Sequence, residues 1–145
     1  MTSTTTAVAP AASATKRVAA PGFDVSFVPA DFRVGHMRRI TRAYLRCHGM
    51  ADLIDSALLA VSELVTNAIR HGGSRPVGLR VAPFADALRI EVTDGSSTRA
   101  RARAAAADDE SGRGLLLVSA VSKEWGVSDD GRTTWCSLAT TERSS

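Results

Sequence analysis

The sequence predicts an α+β fold, a two-layer sandwich of a mixed, mostly antiparallel sheet with about three helices packed on one face. Two observations carry that prediction. The strand-like segments at residues 77–82 and 87–93, and again at 125–127 and 133–138, are joined by links short enough for antiparallel hairpins. The helical segments fall in blocks between the strands without the regular strand–helix alternation of a doubly wound parallel sheet.

The elements follow in order. Phe23-Asp24-Val25-Ser26-Phe27-Val28 alternates apolar and polar residues, the pattern of a half-buried strand. Pro29-Ala30-Asp31 turns the chain, and residues 32–48 read as a helix. Val34, Met37, Ile40, Tyr44 and Leu45 are spaced for its apolar face, and Gly49 is a stop signal. Asp52 is a candidate cap for the next helix, about 53–71, with Asp55 three residues on. Gly72-Gly73 ends that helix, and the hairpin 77–93 follows. Residues 94–111 carry turn chemistry, an Arg/Ala run and Asp108-Asp109-Glu110 without a large apolar face, which predicts a long functional loop. Gly112-Arg113-Gly114 is expected to precede an apolar helix, Leu115 to Val121. Asp129-Asp130-Gly131 turns the closing hairpin.

Composition narrows the function classes. A chain of 145 residues makes one domain with a core, and 5% aromatic content rests that core on Leu, Val, Ile and Ala. The expected organisation is a disordered tail over 1–21, a domain over 22–141 and a short tail over 142–145. A net charge of +3 with scattered arginines argues against nucleic acid. No apolar run approaches a membrane span and the N-terminus lacks a secretory pattern, so a cytoplasmic location is expected. Cys47 and Cys136 have no metal-like spacing, and each is expected to be a buried structural thiol.

The chemistry concentrates in Glu63-Leu64-Val65-Thr66-Asn67-Ala68-Ile69-Arg70-His71. On a helix, Glu63, Asn67, Arg70 and His71 share one side, while Val61, Leu64, Val65 and Ala68 cluster on the other. A carboxylate that takes a proton beside an amide oxygen that holds Mg²⁺ suits phosphoryl transfer. Taken alone, the strip is more simply the solvated face of an amphipathic helix. Asp94-Gly95 ends a strand, where a buried carboxylate accepts a hydrogen bond from an exocyclic amine such as adenine's. Gly112 and Gly114 at a helix start suit a phosphate, with Arg113 adding charge.

In this order the motifs resemble the GHKL ATP-binding superfamily of gyrase, histidine kinases and heat-shock chaperones. The wording of Ser62 to Ala68, of Glu110 to Val118 and of Trp125-Gly126-Val127 is similar to its single-domain branch of anti-sigma factor serine-protein kinases. The resemblance covers about residues 23–140 and implies a Bergerat-type ATP-binding fold. It also implies ATP and Mg²⁺ as cofactors, Glu63 as general base and Asn67 as the Mg²⁺ ligand. Asp94 would be the adenine-reading carboxylate with Gly95 its neighbour, and Gly112, Arg113, Gly114 and Leu115 the lid over the phosphates. Thr133 or Thr134 would match a late threonine near adenine. Arg70 and His71 close the motif helix, where His71 is equally a helix-end residue near the negative end of the dipole. The sequence departs from the family at Ser97, where a second glycine is usual, which bears on how tightly the adenine pocket closes.

The function so implied is a serine-protein kinase that phosphorylates an antagonist of the STAS type and sequesters a sigma factor, with a homodimer through the first helix and neighbouring strand. The alternative is a nucleotide-responsive binding regulator without kinase activity. A sensor histidine kinase is disfavoured, because the sequence shows no phosphoacceptor hairpin and no feature at His36 or His48 that makes either an acceptor.

Overall fold

Alternation places Phe23, Val25 and Phe27 on the inward side of the first strand, β1 (Phe23–Phe27), and leaves Val28 exposed just beyond it. The computed structural model describes residues 21–94 and 110–140, with the side chains of 110–113 not described. The expected tails and most of the loop 94–111 lie outside those residues.

Helix α1 (Arg33–Cys47) is anchored by Met37, Thr41 and Leu45 at a strict four-residue spacing. Ile40 was expected on that face but is 39% exposed, because it projects roughly 100° from Thr41 around the helix. The buried Thr41 hydroxyl is satisfied by the Met37 carbonyl at 2.8 Å. Gly49, at φ 73°, stops α1 as expected. Met50 N–H reaches back to the Leu45 carbonyl at 2.8 Å, the long hydrogen bond of a Schellman ending.

A short 3₁₀ turn, Ala51–Leu53, leads into α2 (Ile54–His71). The N-cap position of α2, expected at Asp52, falls to Leu53 with no side-chain hydrogen bond from that residue, and Asp52 sits inside the 3₁₀ turn. The turn hands its own backbone geometry to the helix. Asp55 remains in the first turn of α2, where a carboxylate complements the helix dipole.

The sheet comprises β1, β2 (Val77–Pro83), β3 (Ala87–Thr93), β4 (Glu124–Val127) and β5 (Thr133–Ala139), in the order β1-β2-β3-β5-β4. All four pairings are antiparallel. The register lines Leu79, Val92 and Thr134 up across one face, and Val81, Ile90 and Cys136 beside them. Helices α2 and α3 (Glu110–Val121) cover that face, and α1 packs along α2. Leu79, Val81, Leu88, Ile90, Val118 and Leu138 form the core between the layers, each about 1.5–3 kcal/mol of apolar burial if fully removed from water.

The opposite face is polar. Arg89 pairs with Glu91 at 2.7 Å and lays its guanidinium 4.2 Å from the centre of the Trp135 ring. The turn from β4 to β5 is held by Asp130, which accepts from Ser128 Oγ at 2.6 Å and Arg132 N–H at 3.0 Å. Those two donors lower the Asp130 carboxyl pKa.

The cysteines separate. Cys136 is fully buried, as expected, and desolvation pushes its thiol up to about 11. Cys47 is exposed, against expectation, because it lies on the outward face in the last turn of α1. Among the described residues, no helix is long and apolar enough to cross a membrane.

Candidate functional site

Helix α2 is buried on most of its circumference, with Ala57, Leu58, Ala60, Val61, Leu64, Val65 and Ala68 all inside. The sheet lies beneath it, α1 on one flank and α3 on the other. The strip that begins with Glu63 is therefore only partly open to solvent. Asn67 is 5% exposed and Glu63 is half-buried, while Arg70 is exposed and His71 half-buried. The solvated-face reading of this motif fails at Asn67, for α3 lies over it.

The contact is made by Gly114. A Cβ built there would stand 2.6 Å from Glu63 Oε1 and 3.8 Å from Asn67 Nδ2. The α3 backbone thus approaches both functional side chains as only glycine permits. Glycine was expected here as part of a turn before the helix. Instead α3 begins at Glu110, which puts Gly112 and Arg113 in its first turn and Gly114 at the start of its second. The Gly112-Arg113-Gly114 run is helical because the chain docks its backbone along α2.

Asn67 Nδ2 is buried and has no hydrogen-bond partner among the described residues. An orphaned buried donor costs about 1–3 kcal/mol, and such a group in a native fold signals a missing ligand or another role. An amide flip exchanges Nδ2 with Oδ1, so this position suits a phosphate oxygen in one orientation and a cation in the other. Among the described residues, no group of three or more His, Cys, Asp or Glu side chains gathers to hold a metal. A magnesium ion here would rely on Asn67, phosphate oxygens and water, its usual manner of binding.

Asp94 is 3% exposed immediately after β3, and its N–H donates to the Arg132 carbonyl at 2.9 Å. Its Cβ lies 3.1 Å from where a Cβ at Gly72 would stand. Gly72 therefore joins the end of α2 to the end of β3, bringing Asp94 to the helix that carries Glu63 and Asn67. Sequence reasoning took Gly72 only as part of a helix stop. The signal was in the pair itself: Gly73, at φ 73°, makes the stop, while Gly72 has an ordinary φ of −88° and is small for want of space.

The threonines divide by strand alternation. Thr133 lies on the outer face, its hydroxyl 2.9 Å from that of Thr93. Thr134 is buried on the helix-covered face opposite Val92. Of the two, Thr134 shares the side of the sheet that holds Asn67 and Asp94. The Leu115 side chain is buried in the core cluster. Gly95 lies outside the described residues. A separate groove of about 160 Å³, lined by Phe84, Asp86, Arg89, Lys123 and Glu124 among others, adjoins the turn at the far end of β3 from Asp94.

The arrangement combines a half-buried carboxylate, an unsatisfied amide, a close glycine contact from α3 and a buried carboxylate beside the C-terminal end of the same helix. Residues 27–138 match the family model described as a histidine kinase-like ATPase domain. No curated protein matches the chain.

Proposed function

We propose that this chain, which belongs to the histidine kinase-like ATPase domain family, is a serine-protein kinase that binds ATP and Mg²⁺ and regulates a partner protein. The carrying observation is the buried, unpartnered Asn67 Nδ2 beside Glu63, both pressed against Gly114. Asp94 supplies a buried carboxylate suited to the adenine amine, and Asn67 would hold the magnesium. When bound, that ion would neutralise charge on the phosphates. Glu63 would take the proton from an incoming serine hydroxyl as its oxygen bonds the γ-phosphorus and ADP departs. α3 covers Asn67, and shielding of the phosphates there would favour transfer to a protein hydroxyl over hydrolysis.

In this reading the phosphorylated protein is an anti-sigma factor antagonist of the STAS type, and the other partner is a sigma factor. The support is the likeness of residues 62–68 and 110–118 to the single-domain branch of the superfamily. The location would be cytoplasmic, and a homodimer is compatible with the fold.

A second reading, a nucleotide-responsive binding regulator without catalysis, uses the same pocket. Glu63→Ala separates the two. With labelled ATP and a cognate antagonist, the kinase reading expects loss of transfer with ATP affinity within about threefold of wild type. Partner regulation unchanged by Glu63→Ala, with no transfer by the wild type, would favour the regulator.

A further inference from the structure

Helix α1 carries five arginines, Arg33, Arg38, Arg39, Arg42 and Arg46, and no acidic residue. That exceeds the +3 of the whole chain, so the remaining sequence is net acidic and α1 carries a local excess of positive charge. The helix has two differently used sides. Arg38 turns inward, donating to Ser62 Oγ at 2.5 Å and to the Leu58 carbonyl at 3.4 Å. This ties α1 to α2 at the residue next to Glu63.

The outward side presents Arg39 and Arg46, both exposed, with Ala43 exposed between them and Gly35 a turn earlier. Phe32, 61% exposed, precedes this face, and Ile40 borders it. At Gly35 a Cβ would meet nothing closer than Arg39 Nη1 at 3.7 Å, so the middle of the face is open. Positions 32, 35, 39, 43 and 46 fall on one side of the helix at the three- and four-residue spacing of neighbours. The result is a strip with Arg39 and Arg46 along its middle, Gly35 and Ala43 beside them, Phe32 at its N-terminal end and Ile40 at its margin.

We propose that this outward face of α1 is a docking surface for an acidic segment of a protein partner. Charge complementarity selects the occupant: arginines recognise carboxylates in a forked geometry, and clustered arginines are a recurring means of reading acidic motifs. The interleaved Phe32, Ile40 and Ala43 offer apolar contact that a phosphate backbone would not use. A second copy of this chain is a poor occupant of this face, since a two-fold contact along it would set arginines against arginines; a homodimer through the first helix would use another side of α1.

The test uses the full chain and three fluorescent probes, followed by anisotropy without nucleotide. One probe is a helical peptide with Glu at every third or fourth position, the second has Gln at those positions, and the third is a single-stranded DNA oligonucleotide of matched charge. The acidic peptide is expected to bind about tenfold or more tightly than its Gln counterpart, with an affinity that falls as salt rises. The double variant Arg39→Glu/Arg46→Glu is expected to abolish that preference. Both residues are exposed, and an unchanged circular dichroism spectrum and melting temperature would confirm that the variant folds. Equal binding of the two peptides, retention of the preference by the variant, or tighter binding of the oligonucleotide than of the acidic peptide would each overturn the proposal. Because binding is read without ATP, a docking surface that fails here leaves phosphoryl transfer measurable, and an absent kinase activity leaves docking measurable.

Discussion

Two glycines with ordinary backbone angles set the geometry of the site, and each is replaceable only at the expense of a functional side chain. At Gly114 an added methyl would stand 2.6 Å from Glu63 Oε1, so Gly114→Ala must displace either the carboxylate or α3. The expected outcome is a loss of phosphoryl transfer of at least about tenfold, roughly 1.4 kcal/mol in the barrier, measured with labelled ATP and antagonist. The cysteines give a prediction of the opposite kind, on stability. The Cys136 thiol is raised from 9.0 to about 11 by desolvation, so between those pH values the unfolded chain releases a proton that the folded chain retains. Stability attributable to this group is therefore whole below about pH 9 and declines as pH rises, by up to about 1.4 kcal/mol per unit. Urea titrations from pH 8 to 11 should show this slope in the wild type and a shallower one in Cys136→Ala, whose baseline is lower for its cavity. Equal slopes would remove Cys136 as the cause. At this scale the sequence was partly legible: the identities of Glu63, Asn67 and Asp94 as a constellation could be read, but their burial could not. Asn67 reads as a wet-face residue by periodicity, and only the docking of α3 across it makes it an orphaned buried donor.

At the scale of elements, the end of α2 separates two reasons for glycine that a sequence presents as one. Gly73 is at φ 73°, where a Cβ is strained, while Gly72 is at φ −88° and is crowded by the Ala68 carbonyl at 2.6 Å and by Asp94. Gly73→Ala is expected to cost about 1 kcal/mol of stability with ATP affinity unaltered. Gly72→Ala should lower stability and also weaken ATP severalfold, by moving Asp94. Thermal melts with and without ATP distinguish the pair, and an unaltered ATP response in Gly72→Ala would detach Gly72 from the site. Element boundaries were legible where periodicity and turn residues agreed, as in α1 with its Gly49 ending and in both hairpins. They were misread where local chemistry was overridden. Asp52 has cap chemistry but lies within a 3₁₀ turn, and the glycines before Leu115 look like a break yet are helical. Glycine lowers helix propensity by about 1 kcal/mol relative to Ala, and here packing against α2 offsets that cost. Leu116 and Leu117 read as core from hydropathy but are 62% and 44% exposed, since a helix lying on one flank of α2 buries only a stripe, Leu115 and Val118.

Over the whole molecule, the antiparallel sheet was legible because its strands are joined locally, whereas the order β1-β2-β3-β5-β4 was not, because α3 and the long loop separate β3 from β5 in sequence. That non-local pairing is what places Arg132 against Asp94, and so one face of the site depends on the last hairpin folding correctly. The core and the nucleotide site are thereby linked through a single cooperative unit. Truncating the central Ile90 to Ala should destabilise the fold by about 2–5 kcal/mol while leaving the site residues themselves untouched. The link has a measurable converse. A ligand that binds only the folded state stabilises it by RT ln(1 + [L]/Kd), about 2.7 kcal/mol at a hundredfold excess over Kd. For a domain of this size that amounts to a rise in Tm of several degrees. On the proposed reading, ATP with Mg²⁺ should therefore raise the Tm of the wild type, and ATP with a chelator should raise it less, since Asn67 would need the ion to meet the phosphates. Asp94→Ala should reduce the response to both, as it would remove the group proposed to meet the base. Asn67→Ala should equalise the two conditions, as it removes the group that distinguishes them. A wild type whose melting ignores ATP in both conditions would leave the buried Asn67 amide without its ligand and would refute nucleotide binding at this site.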